Sequence, residues 1–227
     1  MISEFYPPIL SGKHYGQPSV FAPANLLREA RRQKGLPSGE VPPVCVLDPD
    51  GDIVRRLRKD SHAKPDPAWA CYHTDLYRIS GYNYELGIVG CAVGASFAVL
   101  VAEQLFASGC RFLISIASAG QLIELAPPPY FILIEKALRD EGTSYHYQPP
   151  SEFSHADASL QRMIAAAISD LGVPIVAGAT WTTDAPYRET EEAIAAMAAK
   201  GLLAVEMEAA ALYAFAAARQ KPVLCIA

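Results

Sequence analysis

Basic side chains are in the minority in this chain: 19 Lys and Arg stand against 24 Asp and Glu, a formal net charge of −5. A nucleic-acid surface needs clustered cations, so this balance argues against one. Paired cysteines are lacking too. Cys45, Cys71, Cys91, Cys110 and Cys225 are scattered, mostly in apolar runs and never as Cys-x-x-Cys. An odd, dispersed set reads as reduced thiols in a cytoplasmic protein, not as a disulfide framework or a zinc site. The histidines show no His-x-x-x-His spacing, so no metal site is expected. Neither a Gly-x-Gly-x-x-Gly turn nor a Gly-x-Ser-x-Gly elbow is present. Met1 to Pro8 holds no basic or apolar segment of the signal-peptide kind. Leu86 to Ala102 carries no charge, but glycines interrupt it and Glu85 and Glu103 bracket it. A strand, a glycine turn and a buried helix account for it better than a membrane span, and no membrane partner is expected.

What is present is an alternation of strand-like and helix-like segments across 227 residues, a length that suits one α/β domain. Residues 1–43 are proline-rich and polar, and read as an arm with one helix, Ala24–Lys34. Such arms often pack on a neighbouring subunit. From residue 44 onward strands are predicted at Val44–Leu47, Tyr72–Arg78, Tyr82–Val89, Arg111–Ile116, Tyr130–Glu135, Ile175–Thr180, Ala204–Met207 and Pro222–Ala227. Helices are predicted at Asp52–Lys59, Ser96–Ala107, Ala158–Leu171, Glu189–Lys200 and Ala209–Gln220, with loops at Lys64–Trp69 and Asp140–His155. The alternation implies a mixed, mostly parallel central sheet flanked by helices.

The segment with the most chemistry is Ala204-Val205-Glu206-Met207-Glu208-Ala209-Ala210-Ala211. It sets two carboxylates among small apolar residues, where an unpaired buried acid costs several kcal/mol, of order ~3–5. A ligand with paired hydroxyls would offset that cost, and so would an arginine in a buried ion pair. On a regular helix, residues two apart point about 200° from each other. The two acids can converge on one ligand only if the segment runs from strand into helix.

This Glu-Met-Glu-Ala-Ala-Ala run resembles the ribose-binding signature of the nucleoside phosphorylase/nucleosidase superfamily. Further segments follow in the family's order. Leu47-Asp48-Pro49-Asp50 is similar to its first-strand loop, and Val93-Gly94-Ala95-Ser96 to its glycine turn. Phe112 to Gly120 is similar to its central strand, with the turn Ser118-Ala119-Gly120, and Thr183 to Thr190 to its base-side loop. The resemblance covers residues 44–227 and implies cleavage of the N-glycosidic bond of a nucleoside, with phosphate as a co-substrate and no other cofactor. It also implies a homodimer, or a hexamer built from dimers. Residues 44–227 then form a phosphorylase-like domain that stops short of the family's C-terminal end, where purine-specific relatives carry the acid that protonates the base.

By that resemblance Glu208 binds the ribose hydroxyls and acts in catalysis, with Met207 on the sugar face and Glu206 beside them. Gly120, Tyr187 and Arg188 fall on the base side, Tyr187 as a stacking face or as core. Gly94 and Ser118 fall on the phosphate or water side. Two phosphate-binding arginines of the family are replaced, one by Gly51 and one by Ser115. Arg55, Arg56 or a neighbouring subunit's Arg78 would have to compensate. Hydrolytic relatives place a carboxylate after the first loop to activate water, a role that falls on Asp52 here, with Asp50 one register away. The same acids would equally serve to charge the start of the helix that follows. A nucleoside hydrolase and a non-catalytic nucleoside-binding protein therefore stand beside the phosphorylase.

Overall fold

The computed structural model describes residues 7–81, 84–168 and 172–227. Strands β1 (Val44–Asp48), β4 (Leu86–Gly90), β5 (Phe112–Ile116) and β11 (Val223–Ile226) form one parallel block in the order β4-β1-β5-β11. A second parallel block, β7 (Phe131–Asp140), β9 (Ile175–Thr183) and β10 (Ala204–Glu206), joins it antiparallel where β11 meets β7. Short antiparallel strands complete the sheet: β2 (Ala63–Pro65) and β3 (Leu76–Ile79) at one edge, β8 (Phe153–His155) on β7, and β6 (Gly120–Gln121) on β10.

The helices are α1 (Pro23–Lys34), α2 (Asp52–Lys59), α3 (Ala95–Ala107), α4 (Ala158–Ile168), α5 (Glu191–Ala199) and α6 (Ala209–Arg219). α3 and α6 carry the core. Ala98, Val99, Val101, Ala102 and Leu105 of α3 are buried, as is every residue of α6 from Ala209 to Phe215. Small residues let both helices approach the sheet closely. Leu212, Tyr213 and Phe215 are the large side chains of α6, and the Tyr213 hydroxyl is bonded on both sides: it donates to the Ile134 carbonyl (2.6 Å) and accepts from the Cys225 amide (3.1 Å). One side chain thereby ties α6 to both β7 and β11. None of the helices among the described residues is long and apolar enough to cross a membrane. The uncharged run divides instead into β4, the turn at Gly94 and α3.

Several boundaries differ from expectation for identifiable reasons. β3 starts at Leu76 rather than Tyr72, because Asp66 accepts the Ala68 amide and Trp69 donates to the Thr74 carbonyl, folding the preceding segment into turns. β2 forms inside the expected proline loop, at a sheet edge where Pro65 needs no donor. Tyr82 at the start of the expected Tyr82–Val89 strand, and residues 169–171 at the end of the expected Ala158–Leu171 helix, lie outside the described residues. The arm packs on its own chain: Tyr15 donates to the Tyr145 carbonyl (3.2 Å), Lys13 Nζ lies 3.0 Å from His146 Nδ1, and Arg31 donates to the Ala68 carbonyl (3.1 Å).

Replacing Tyr213 with Phe leaves the buried Cys225 amide without its acceptor, while the Ile134 carbonyl keeps the Gln161 side-chain amide (2.7 Å) as a donor. Urea unfolding should show a loss of about 1–3 kcal/mol with little change in the slope. An unchanged midpoint would mean that the hydroxyl does not hold α6 in place.

Candidate functional site

β10 ends at Glu206, and α6 begins at Ala209. Met207 and Glu208 form the bend between them, with Glu208 at φ −130° and ψ −37°. The two acids thus leave the chain from a strand-to-helix turn, the arrangement in which convergence is possible. They have different tasks there. Glu206 is 5% exposed and all its acceptor capacity is taken. Oε1 accepts from the hydroxyls of Thr180 (3.1 Å) and Thr182, and Oε2 accepts from the amides of Glu208 and Ala209, both at 2.7 Å. Thr182 Oγ1 in turn accepts from the Ala210 amide (2.9 Å). Between them Glu206 and Thr182 satisfy the first free N–H groups of α6. Glu206 borders the cleft described below but has no acceptor left for a sugar, which removes it from the expected ribose contacts.

Glu208 is 3% exposed, and only one of its oxygens is engaged: Oε1 accepts from the Gly94 amide at 2.7 Å. Gly94 gives the one well-formed hydrogen bond to this carboxylate among the described residues, and the Met207 amide lies near enough to favour its ionised form as well. Burial pushes the Glu208 carboxyl up to about 7, the Gly94 N–H opposes this, and the negative charges of Glu206 and Asp50 add to it. Burial also raises Glu206, against the four donors that favour its ionised form.

Glu206, Met207 and Glu208 line a cleft of about 220 Å³ together with Val205, Pro49, Asp50, Val93, residues 117–120, Pro186 and Glu189. The strand ends explain the gathering. Asp48, at the end of β1, accepts the amides of Gly51 (3.1 Å) and Val54 (2.8 Å), which turns the chain into α2 and exposes Asp50 to the cleft. Asp50 Oδ2 then accepts the Ser118 amide at 2.7 Å, linking the first loop to the end of β5. Gly120 pairs with Val205, and a Cβ there would lie 2.9 Å from Val205 Cγ1, so only glycine permits this approach. A larger cavity, about 640 Å³, lies between α4 and the end of α6, lined by His155, Met163 and Lys221 among others. It holds no buried carboxylate, and the smaller cleft is the better candidate on chemistry.

Other expected site residues lie elsewhere. Asp52 opens α2 with its side chain 81% exposed and paired with Arg55, outside the cleft. The reason is Gly51, whose left-handed φ of +76° swings the chain outward after Asp50. Tyr187 and Arg188 sit on a turn spanning Pro186–Arg188, Tyr187 wholly exposed and Arg188 exposed, so Pro186 and Glu189 face the cleft in their place. The Gly94 amide is committed to Glu208 and the Ser118 amide to Asp50, leaving the Ser118 hydroxyl on the acceptor side. Asp184 accepts the Gly142 amide (2.8 Å), while Thr190 caps α5 by accepting from Ala193. Trp181 is core, donating to Asp140. Glu189 belongs to the Thr183–Thr190 segment likened to the base-side loop, where the sequence assigns it no role of its own, and it borders the cleft.

The cations expected to compensate for Gly51 and Ser115 are mostly occupied. Arg78 is bound to Asp66, Glu85 and the Glu40 carbonyl, and Arg56 to Asp60. Arg55 lies over the first loop: its Nη2 donates to the Asp50 carbonyl (2.9 Å), and its Nη1 is 2.9 Å from where a Cβ of residue 51 would stand. Among the described residues no Lys, Arg or His lines the cleft itself.

Comparison with known proteins gives the family and the fold. A family model described as "Phosphorylase superfamily" matches residues 43–227. The DeoD-type purine nucleoside phosphorylase of Colwellia psychrerythraea is 29% identical over 144 residues, 63% of this chain and 62% of that protein. Its namesake in Myxococcus xanthus is 30% identical over 135 residues, 59% of this chain and 56% of the other. A guanosine phosphorylase of Halorubrum lacusprofundi is 27% identical over 143 residues, 62% and 59% of the two chains. The matched region spans about three-fifths of the length of these relatives. The solved structure of uridine phosphorylase from Vibrio fischeri superimposes with a TM-score of 0.71 at 22% identity, covering 82% of this chain and 78% of that one, a likeness of fold.

A carboxyl raised in the fold from its ordinary 4.5 to about 7 favours the folded state most at low pH. That contribution is present below the unfolded value and is lost as pH rises through about 7. Thermal unfolding between pH 5 and 8 should therefore show stability declining with pH, and Glu208→Gln should flatten the decline. An identical slope in the variant would place the titration on other groups.

Proposed function

Because the chain belongs to the phosphorylase superfamily, we propose that it cleaves the N-glycosidic bond of a nucleoside and transfers the ribosyl group to phosphate. One observation carries this reading: Glu208 is buried, aimed by the Gly94 amide, and keeps one oxygen open to the cleft. Ionised, that carboxylate accepts charge-assisted bonds from the 2′ and 3′ hydroxyls. It also lies beside the positive charge that develops on the sugar as the bond to the base stretches. Met207 packs on the sugar. Gly120, Val205 and Pro186 bound the space for the base, and the Ser118 hydroxyl faces the acceptor. Phosphate is the co-substrate and no further cofactor is invoked; Arg55, above the first loop, offers the charge that Gly51 does not. The reading places the enzyme in the cytoplasm, in keeping with five free thiols, and as a homodimer or a hexamer of dimers, in keeping with its relatives' family.

Hydrolysis is the second reading, and a specific contact favours it. Asp50 already occupies the Ser118 amide, a donor at the strand end that would otherwise face an anion. With no basic residue among the described residues lining the cleft, a water molecule held by Asp50 is the acceptor in this reading. The general base of this reading is Asp50, not the solvent-facing Asp52.

Incubating the protein with a panel of nucleosides, with and without phosphate, separates these readings. Phosphate-dependent base release with ribose 1-phosphate as product is the expected result. Base release independent of phosphate would transfer the assignment to the hydrolase, and binding without either product to a nucleoside-binding protein. Glu208→Gln should lower kcat/KM about 10–100-fold, the loss of one charge-assisted hydrogen bond of roughly 1.5–3 kcal/mol.

A further inference from the structure

A second cavity, of about 230 Å³, lies at the far end of the same strands from the cleft. Asp50 and Ser118 follow the C-terminal ends of β1 and β5, whereas this cavity stands where the chain enters those strands, between α1 and the last turn of α3. Arg31, Glu40 and Ser108 line it, with Ala24 and Leu27 as apolar wall. Half-buried Arg31 is fixed by two carbonyls, Nε donating to Pro37 and Nη2 to Ala68, both at 3.1 Å. Glu40 is held through its main chain, where its carbonyl accepts from Arg78 (2.9 Å), and its side chain is exposed. Neither Arg31 nor Glu40 belongs to an ion pair among the described residues, with each other or with any other group. Ser108 is 7% exposed, and its hydroxyl meets no hydrogen-bond partner among the described residues. Gly109 completes the wall at φ +108°. A Cβ there would stand 2.9 Å from Glu40 Cβ, so only glycine lets Glu40 lie beside the end of α3.

We propose that this cavity binds a small free α-amino acid with an apolar side chain. Its carboxylate pairs with Arg31, its ammonium with Glu40, and its side chain packs against Ala24 and Leu27. The inference is independent of the nucleoside-cleaving function and adds a second site. A cation and an anion that line one cavity without meeting each other are complementary to a molecule that carries both charges. A simple anion would pair with Arg31 and be repelled by Glu40, and a simple cation would meet the reverse, so the pair selects for a zwitterion. The Ser108 hydroxyl points to the same conclusion from a different direction. A buried hydroxyl without a partner is costly, and a polar ligand in the cavity supplies the missing bond. Few polar groups converging on a small, partly apolar space is the usual composition of a small-molecule site.

Calorimetry on the full chain tests this with L-alanine, L-valine and L-leucine as probes. Two analogues of valine of nearly unchanged shape serve as controls: L-valinamide, which lacks the carboxylate, and 2-hydroxyisovalerate, which lacks the ammonium. At least one of the amino acids should bind saturably with a Kd of about 1 mM or below. Each control should bind at least about tenfold more weakly than valine, the scale of one lost charge-assisted bond. Glu40→Gln changes an exposed side chain and should weaken binding about threefold or more while leaving the thermal midpoint unchanged. Arg31→Gln should weaken it further, with its fold checked by circular dichroism because Arg31 also holds Pro37 and Ala68. No saturable binding of any of the three amino acids up to about 20 mM would overturn the inference. Binding of valine and either control with equal affinity would overturn it too, as would an affinity untouched by Glu40→Gln.

Discussion

The site depends on one buried carboxylate at the edge of the cleft whose acceptors are all taken by the protein itself. Glu206 ends a strand, gathers two threonine hydroxyls from β9 and two amides from the start of α6, and so fixes the bend between strand and helix. Glu208 projects from that bend and is aimed by the amide at the start of α3. Loss of Glu206 would release the bend, the helix start and the position of Glu208 together. A buried acid is tolerable here because every lone pair meets a donor, two from β9, which pairs with β10, and two from the start of α6.

A second constraint comes from the opposite strand end. Asp48 holds the turn after β1, Gly51 in a left-handed conformation sends α2 away from the cleft, and Asp50 is left to reach the Ser118 amide. The same glycine that admits Arg55 above the loop leaves no side chain of its own there. The acceptor side is thereby built from a carboxylate, a hydroxyl and backbone, with the nearest loop cation outside the lining.

Much of this organisation is legible in the residues. Apolar runs and glycine turns place β1, β5, α3 and α6 within a residue or two, β4 starts four residues later than expected, and the Glu-Met-Glu run marks the strand-to-helix bend. What is not legible depends on partners distant in sequence. β7 runs on to Asp140 through Lys136 and Arg139, which look like loop residues. Arg139 is buried because Ser144, Gln148, Pro149 and Ser151 fold over it and accept its guanidinium protons. Asp50 and Asp52 look interchangeable until the φ of Gly51 separates them. Tyr187 and Glu189 are likewise separated only by the turn at Pro186–Arg188, which directs one to solvent and the other to the cleft.

The central claim is that the open oxygen of Glu208 receives the sugar hydroxyls, and a double-mutant cycle measures it most directly. Calorimetry would compare a nucleoside and its 2′,3′-dideoxy analogue on the unmodified protein and on Glu208→Gln. The expected result is a marked loss of affinity on removing the hydroxyls from the ligand, and little further loss once Glu208 is replaced. Equal sensitivity to the hydroxyls in both proteins would contradict the account and place the sugar elsewhere.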